Sequence, residues 1–445
     1  MHARFIRRAA VALVLAGLTG SCQAQNALIA AVRAAAVPIS EQPHALNPVI
    51  QAARTANVVL IGEATHGTHE FYRTRADITK RLITEQGFDA VVIEGDWPEA
   101  QRVNRYVRGQ GPDRTPEQAL AAFERFPRWM WRNVVVRDFV GWLRTRNASQ
   151  PGSMAAFYGM DLYSLRGSRR EVLRGLSILD PALARRAESR YGCLNALDPA
   201  LPDDPAVSVA IAAQTCAQNV EDVFAEVRQL VTGRRRLPGA APEVLFDLEQ
   251  NARVVKNAVN YERASLNLLG GGSSWNVRDQ HMTETLEAIR AHLAPGAKIV
   301  VWAHNSHLGD ARATEMARQN EVNVGQLVRQ RYGKDALLIG MTTHTGSVTA
   351  APEWNLPGRL MQIRPSLEGS YERLFHDTGI PNFLLDLRRA PQGLVQDRLE
   401  RAIGVQYVPA SERLSHYFLA SLPRQFDLVL HFDVTRALTP LDPPS

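Results

Sequence analysis

Residues 58–97, VVLIGEATHGTHEFYRTRADITKRLITEQGFDAVVIEGDW, constrain the fold more than any other stretch of this chain. Val58 to Ile61 is a continuous apolar run, the pattern of a strand buried on both faces in a mostly parallel sheet. The chain turns at Gly62 and releases Glu63 and His66 in one polar loop. The spacing that follows predicts a helix over Thr68 to Glu85, ended by Gly87. A second apolar run, Ala90 to Ile93, returns and delivers Glu94. Open α/β sheets bind ligands outside the carboxyl ends of their strands. Two strand ends, read as neighbours, thus carry a His and two Glu.

Arg75 belongs to the same unit. Phe71, Ile78 and Leu82 recur at i, i+7 and i+11 and mark the core-facing stripe, and Arg75 sits on it at i+4. A guanidinium cannot shed its charge, so burying it requires a carboxylate. Glu63 and Glu94 are the candidates. The bland alternative is that Arg75 snorkels to the rim of the sheet.

Five more apolar runs read as strands: Met154 to Tyr158, Lys298 to Ala303, Ala336 to Met341, Phe383 to Leu387 and Leu428 to Phe432. Between the first two of these, from about 165 to 292, strand signals give way to helical periodicity. The expected fold class is therefore α/β, a mostly parallel central sheet flanked by helices, with a large helical insertion or cap. Residues 25–445 read as one such domain. A helix is also expected over Pro116 to Phe126, and Phe126, Trp129, Trp131, Phe139 and Trp142 crowd that region as core or cleft wall.

The 445 residues are 45% hydrophobic and 22% charged, ordinary for a globular protein. Arg4, Arg7 and Arg8 followed by apolar Ala9 to Leu18 and small residues form an export signal, with cleavage after Ala24. Thr19 to Cys22 resembles a degenerate lipobox, so anchoring through a lipidated Cys22 is the alternative to a soluble periplasmic or secreted protein. Removing residues 1–24 takes away three Arg and no acid, and the net charge falls from +6 to +3. That is too mild for nucleic acid, and no basic stripe with interleaved aromatics exists. No integral membrane segment is expected after the signal. Cys193 and Cys216 are left, and an even pair in an oxidising compartment reads as a disulfide; the alternative is two unrelated buried thiols.

Glu63, His66, Glu94, Asp161, His304 and His307 all follow apolar strands. Three readings fit them. His66 can act as general base toward water, with Glu63 or Glu94 fixing its tautomer and with His304, His307 and Arg75 polarising a carbonyl. There is no G-x-S-x-G elbow to supply a serine nucleophile. Alternatively three His and two Glu could hold a divalent metal for hydrolysis, although His304 and His307, placed in a post-strand loop, lack the H-E-x-x-H pattern. The plainest alternative is that these groups satisfy backbone at strand ends, or hold a ligand or haem without catalysis. Glu70, i+4 from His66, is expected to support it or to interact with the helix terminus. His69, His281, His292, His344, His376, His416 and His431 read as surface or satisfied core residues without such company.

The motifs Gly62-Glu63-Ala64-Thr65-His66-Gly67-Thr68 with Glu70-Phe71, Arg75, Glu94-Gly95-Asp96, Gly159-Met160-Asp161, Arg278-Asp279 and Trp302-Ala303-His304-Asn305-Ser306-His307 together resemble the erythromycin esterase family. The resemblance runs from about residue 40 to 430. It implies hydrolysis of a macrocyclic ester by water, without a covalent intermediate, cofactor or metal, and so a role in antibiotic resistance. It assigns the general base to His66 and other active-site positions to Glu63, Arg75, Glu94, His304 and His307, with Asp161, Arg278 and Asp279 as supports. The implied partner is a small-molecule ester, a macrolide first. The export signal departs from a cytoplasmic resistance enzyme and bears on the substrate more than on the chemistry.

Overall fold

A computed structural model of the protein describes residues 23–40, 42–197, 205–234, 241–266 and 273–442. The expected export signal, residues 1–24, lies outside the described residues except for its last two positions.

Eleven strands are present among the described residues. They are β1 (Val37–Pro38), β2 (Val58–Ile61), β3 (Ala90–Asp96), β4 (Ala156–Asp161), β5 (Ile299–Trp302), β6 (Ala336–Ala350), β7 (Arg359–Ile363), β8 (Asn382–Asp386), β9 (Arg398–Arg401), β10 (Tyr417–Ala420) and β11 (Leu428–Thr435). Nine form the central sheet in the order β1-β8-β11-β6-β2-β5-β3-β4, with β7 paired to β6; β9 and β10 form a separate antiparallel pair. From β11 to β4 every pairing is parallel. The seven predicted strands are all there. The four missed, β1, β7, β9 and β10, are two to five residues long or antiparallel edges with mixed exposure, so they lack the apolar run that betrays a central strand.

The continuous apolar runs have a plain cause, which is that the sheet is covered on both sides. Val59, Ile61, Val91, Ile93, Val300 and Trp302 pack into one core with Phe71, Ile78 and Leu82 of the helix His69–Gln86. Their alternating neighbours Val58, Leu60, Ala90, Val92, Ile299 and Val301 pack into another with Met282, Leu286 and Ile289 of the helix Ser274–Leu293. Period-two alternation thus sorts side chains between two buried layers and not between core and water. Gly87 closes the helix His69–Gln86 with φ at 67°, the left-handed cap its sequence predicts.

Between β4 and β5 the described chain is helical: Leu165–Leu179, Pro181–Arg190, Pro205–Arg234, Pro242–Ser265 and Ser274–Leu293. The first four carry their own hydrophobic cluster, including Leu176, Leu183, Val223 and Val255. Cys193 and Cys216 are bridged within this block. The helix expected over Pro116 to Phe126 stops at Leu120. The chain beyond it turns back so that Phe123 and Phe126 face a cavity. No helix of the described residues is long and apolar enough to cross a membrane.

The strand order corrects one expectation. β2 and β3 are not neighbours, because β5 lies between them. Ile61 of β2 and Ile93 of β3 both pair with Trp302 of β5. The residues just beyond that level are Glu63, Glu94 and His304, so three strand ends converge. His304 and His307 therefore enter at the centre of the site, from the end of the strand between the other two.

Candidate active site

The loop after β2 is pinned on every side. The Gly62 N–H donates to the Ile339 carbonyl, the Ala64 carbonyl accepts from Ile403, and the Gly67 carbonyl accepts from both Thr349 and Leu438. Gly62 is required by a close approach: a Cβ there would sit 2.3 Å from Oδ1 of Asn305. Asn305 in turn donates its backbone N–H to the Glu63 carbonyl at 2.8 Å. The end of β5 is thereby tied to the end of β2. The segment after β5, expected as a loop, is a single helical turn, Asn305–Leu308, with His304 as its N-cap.

His66 Nδ1 lies 2.9 Å from Oε1 of Glu63. A carboxylate only accepts, so Nδ1 carries the proton and Nε2 keeps its lone pair. The other oxygen of Glu63 faces Arg75, with Nη1 to Oε2 at 2.9 Å and both side chains fully buried. The contact is a charge pair more than a directed hydrogen bond, and the rest of the guanidinium sits in an aromatic cage. Its carbon is 3.8 Å from the ring centre of Tyr72, 5.0 Å from Trp302 and 5.6 Å from Trp131. Glu63, not Glu94, is therefore the partner of Arg75. Full burial also keeps Arg75 behind Glu63, so it does not reach a substrate carbonyl as the sequence reading expects.

Glu94 is held by a second guanidinium. Its Oε1 accepts from Arg278 Nη2 at 2.7 Å and its Oε2 accepts from the His304 backbone N–H at 2.9 Å. Burial alone would push this carboxyl up, but His307 and His66 when protonated, together with Arg278 and the His304 N–H, hold it below the usual range. Arg278 also grips Asp161 with two bonds, Nε to Oδ1 at 2.9 Å and Nη2 to Oδ2 at 2.7 Å. Its Nη1 is 3.0 Å from His307 Nε2.

His307 closes the cluster. Its Nδ1 is 3.0 Å from both oxygens of Asp279, and its ring stacks on Trp275 with centres 4.3 Å apart. Burial opposes its charge, yet Asp279 and Glu94 raise its pKa. His304 behaves oppositely. Burial opposes its charge, and so do His66 and, less strongly, His307 when they carry a second proton, which pushes its pKa down to about 3. Its Nδ1 accepts from the Ser306 N–H at 3.2 Å. The neutral ring therefore carries its proton on Nε2, a buried atom turned toward the Ala64 backbone. The rings of His66 and His304 are 4.9 Å apart.

His66, Glu94, Arg278, His304 and His307 line one cavity of about 480 Å³, walled by Phe123, Phe126, Trp131 and Trp354. Of the predicted aromatic group, Phe126 and Trp131 are cleft wall while Phe139 is core.

Some expectations change. Glu70 accepts from the Arg436 N–H and from Nε of Arg436, which takes it away from His66. Arg278 is central where the sequence makes it only a support. Its neighbour Asp279 offered the same signal as Arg75, since it continues the buried stripe of Met282, Leu286 and Ile289 backward by three. Trp275 and Tyr72 carry no such signal. Several histidines read as isolated do have company: His344 stacks on His376 at 3.7 Å, Asp433 lies 2.8 Å from His376 Nδ1 and 3.6 Å from His431 Nε2, and Glu243 lies 2.9 Å from His292 Nε2. Among the described residues no group of three or more His, Cys, Asp or Glu is arranged to hold a metal ion.

Residues 83–435 match the erythromycin esterase family. The chain belongs to that family of hydrolases. The matched span contains Glu94, Asp161, Arg278, Asp279, His304 and His307 and begins after Glu63, His66 and Arg75. The chain is 22% identical over 397 residues to erythromycin esterase type II of Escherichia coli, covering 84% of this chain and 89% of that one. It is 21% identical to the putative hydrolase YbfO of Bacillus subtilis (strain 168), covering 74% of each. Its fold is shared with a crystallised succinoglycan biosynthesis protein at 22% identity and a TM-score of 0.74, over 93% of this chain and 98% of that one. It is also shared with a mutant of erythromycin esterase EreC in its open conformation, at 16% identity and a TM-score of 0.65, over 88% and 94%.

Proposed function

We propose that this protein is an exported hydrolase of carboxylic esters in which His66 activates water, with a macrolide lactone as the first substrate to test. The observation that carries the reading is Glu63 shared between His66 Nδ1 and Arg75. A buried carboxylate fixes the tautomer and steadies the imidazolium, and Arg75 supplies the opposite charge that a buried carboxylate needs. Water beside His66 Nε2 loses its proton to that nitrogen as its oxygen bonds to the ester carbonyl carbon. The oxyanion that develops lies in the field of Arg278, which lines the same cavity. The bond to the leaving oxygen then breaks and takes the proton back from His66, giving an acid and an alcohol. Glu94, Asp161, Arg278, Asp279 and His307 form the charged frame that holds the strand ends in register. Each acid of that frame already faces Arg278 or His307, and Glu63 faces Arg75, so a divalent cation would have to displace them.

Export is supported by the N-terminal signal and by the Cys193–Cys216 bridge. The macrolide reading draws on the names of the relatives. The test is incubation of the purified protein with a macrolide panel and simple esters, followed by mass spectrometry. Addition of one water by the wild type and its loss in His66→Ala is the expected result, with a fall of roughly 100- to 10,000-fold. Hydrolysis that survives His66→Ala, or that requires bound metal, overturns the mechanism. Failure on macrolides but turnover of other esters overturns the substrate alone.

A further inference from the structure

A second cavity, of about 710 Å³, opens beside the catalytic one. Glu124 and Phe126 line both. Phe126 meets Trp354 edge-on with ring centres 5.0 Å apart, and Trp354 borders the catalytic cavity. The two rings stand where the chambers adjoin. Trp354 is 55% exposed, so little packing holds that partition in place.

The walls of the second chamber are largely apolar, with Trp129, Leu356, Pro357, Leu360 and Leu438 among them. Leu356, on the segment joining β6 to β7, and Leu360, on β7 itself, are 42% and 65% exposed. Apolar surface gathered around a concavity marks a ligand site better than scattered exposed leucines do. Charge around the chamber balances, with Arg128 and Arg359 against Glu124 and Asp442, which favours an uncharged occupant.

We propose that this chamber receives the apolar arm of a bulky ester whose carbonyl lies beside His66, and that Phe126 and Trp354 govern the size of ester admitted. The proposal rests on the ester-hydrolase reading for its substrate but not for its binding. The catalytic cavity alone, about 480 Å³, is of ordinary ligand-pocket size. The two chambers together suit a long-chain or macrocyclic ester.

The experiment compares p-nitrophenyl acetate with p-nitrophenyl dodecanoate, and separately measures binding of the uncharged apolar dye Nile red. In the double variant Leu356→Ser/Leu360→Ser, the ratio of kcat/KM for the long ester to that for the short one should fall roughly tenfold, and Nile red should bind correspondingly more weakly. Trp354→Ala should raise the same ratio severalfold. Unchanged ratios and unchanged dye affinity in both variants overturn the proposal even where both esters are hydrolysed. If neither ester is hydrolysed, the ester reading fails, and the dye measurement still decides the chamber: weaker binding in the double variant supports it, equal binding removes it.

Discussion

Glu63 serves two masters, and its loss should show in two measurements. Glu63→Gln keeps the shape beside His66 but removes the charge opposite Arg75, whose side chain has no exposed surface. Breaking a buried pair costs about 3–5 kcal/mol. Urea unfolding should therefore show that loss, and kcat should fall at least 100-fold because the imidazolium loses its counter-charge. His307 and Asp279 make a prediction with a sign. The folded-state pKa of His307 is raised by Asp279 and Glu94, so its contribution to stability is complete below the unfolded value of about 6.5 and is lost as pH rises through the folded value. Asp279 is itself raised by burial, which slopes the same way. Wild-type stability should thus decline from about pH 6.5 upward, and Asp279→Asn should flatten that decline, as read from urea midpoints across the range. At this scale the sequence was informative where charge met periodicity. Arg75 on an apolar stripe announced a buried pair, but the choice of Glu63 over Glu94 needed the coordinates.

The elements decide which of these residues meet. The one-turn helix Asn305–Leu308 sits against the loop after β2 because Gly62 leaves room for Asn305. The Asn305 side chain also donates to the Met341 carbonyl of β6 at 2.9 Å. Gly62→Ala would force that side chain aside, and overpacking of this kind costs about 1–3 kcal/mol. We expect a lower urea midpoint together with a drop in kcat, since His304 directly precedes the displaced residue. A stability loss with full activity would show that the turn tolerates the shift. The central strands were legible because burial on both faces leaves long apolar runs. The edge pair β9–β10 and the antiparallel β7 were not, since their mixed burial imitates loop composition.

On the scale of the molecule, the helical block between β4 and β5 stands on its own cluster and is stapled by Cys193–Cys216, 23 residues apart in sequence. Closing a loop of that length stabilises by about 3 kcal/mol in the chain-entropy account. Cys193→Ser/Cys216→Ser should therefore lower the midpoint by that order, with hydrogen exchange quickening in the helices of the block before the central sheet. The last helix of that stretch, Ser274–Leu293, packs on the sheet instead and delivers Arg278, which reaches back 117 positions to Asp161 and 184 to Glu94. By itself the sequence determined the α/β class, the central strands, and the histidines and acids that follow their ends, because apolar periodicity is a local property and a strand end is where it stops. Only the tertiary structure decided that β5 separates β2 from β3, that Arg75 stands behind Glu63, and that Arg278 fills the middle of residues 58–97's half-site. Those are choices of neighbour, made by the packing of both sheet faces at once, and no local pattern encodes them.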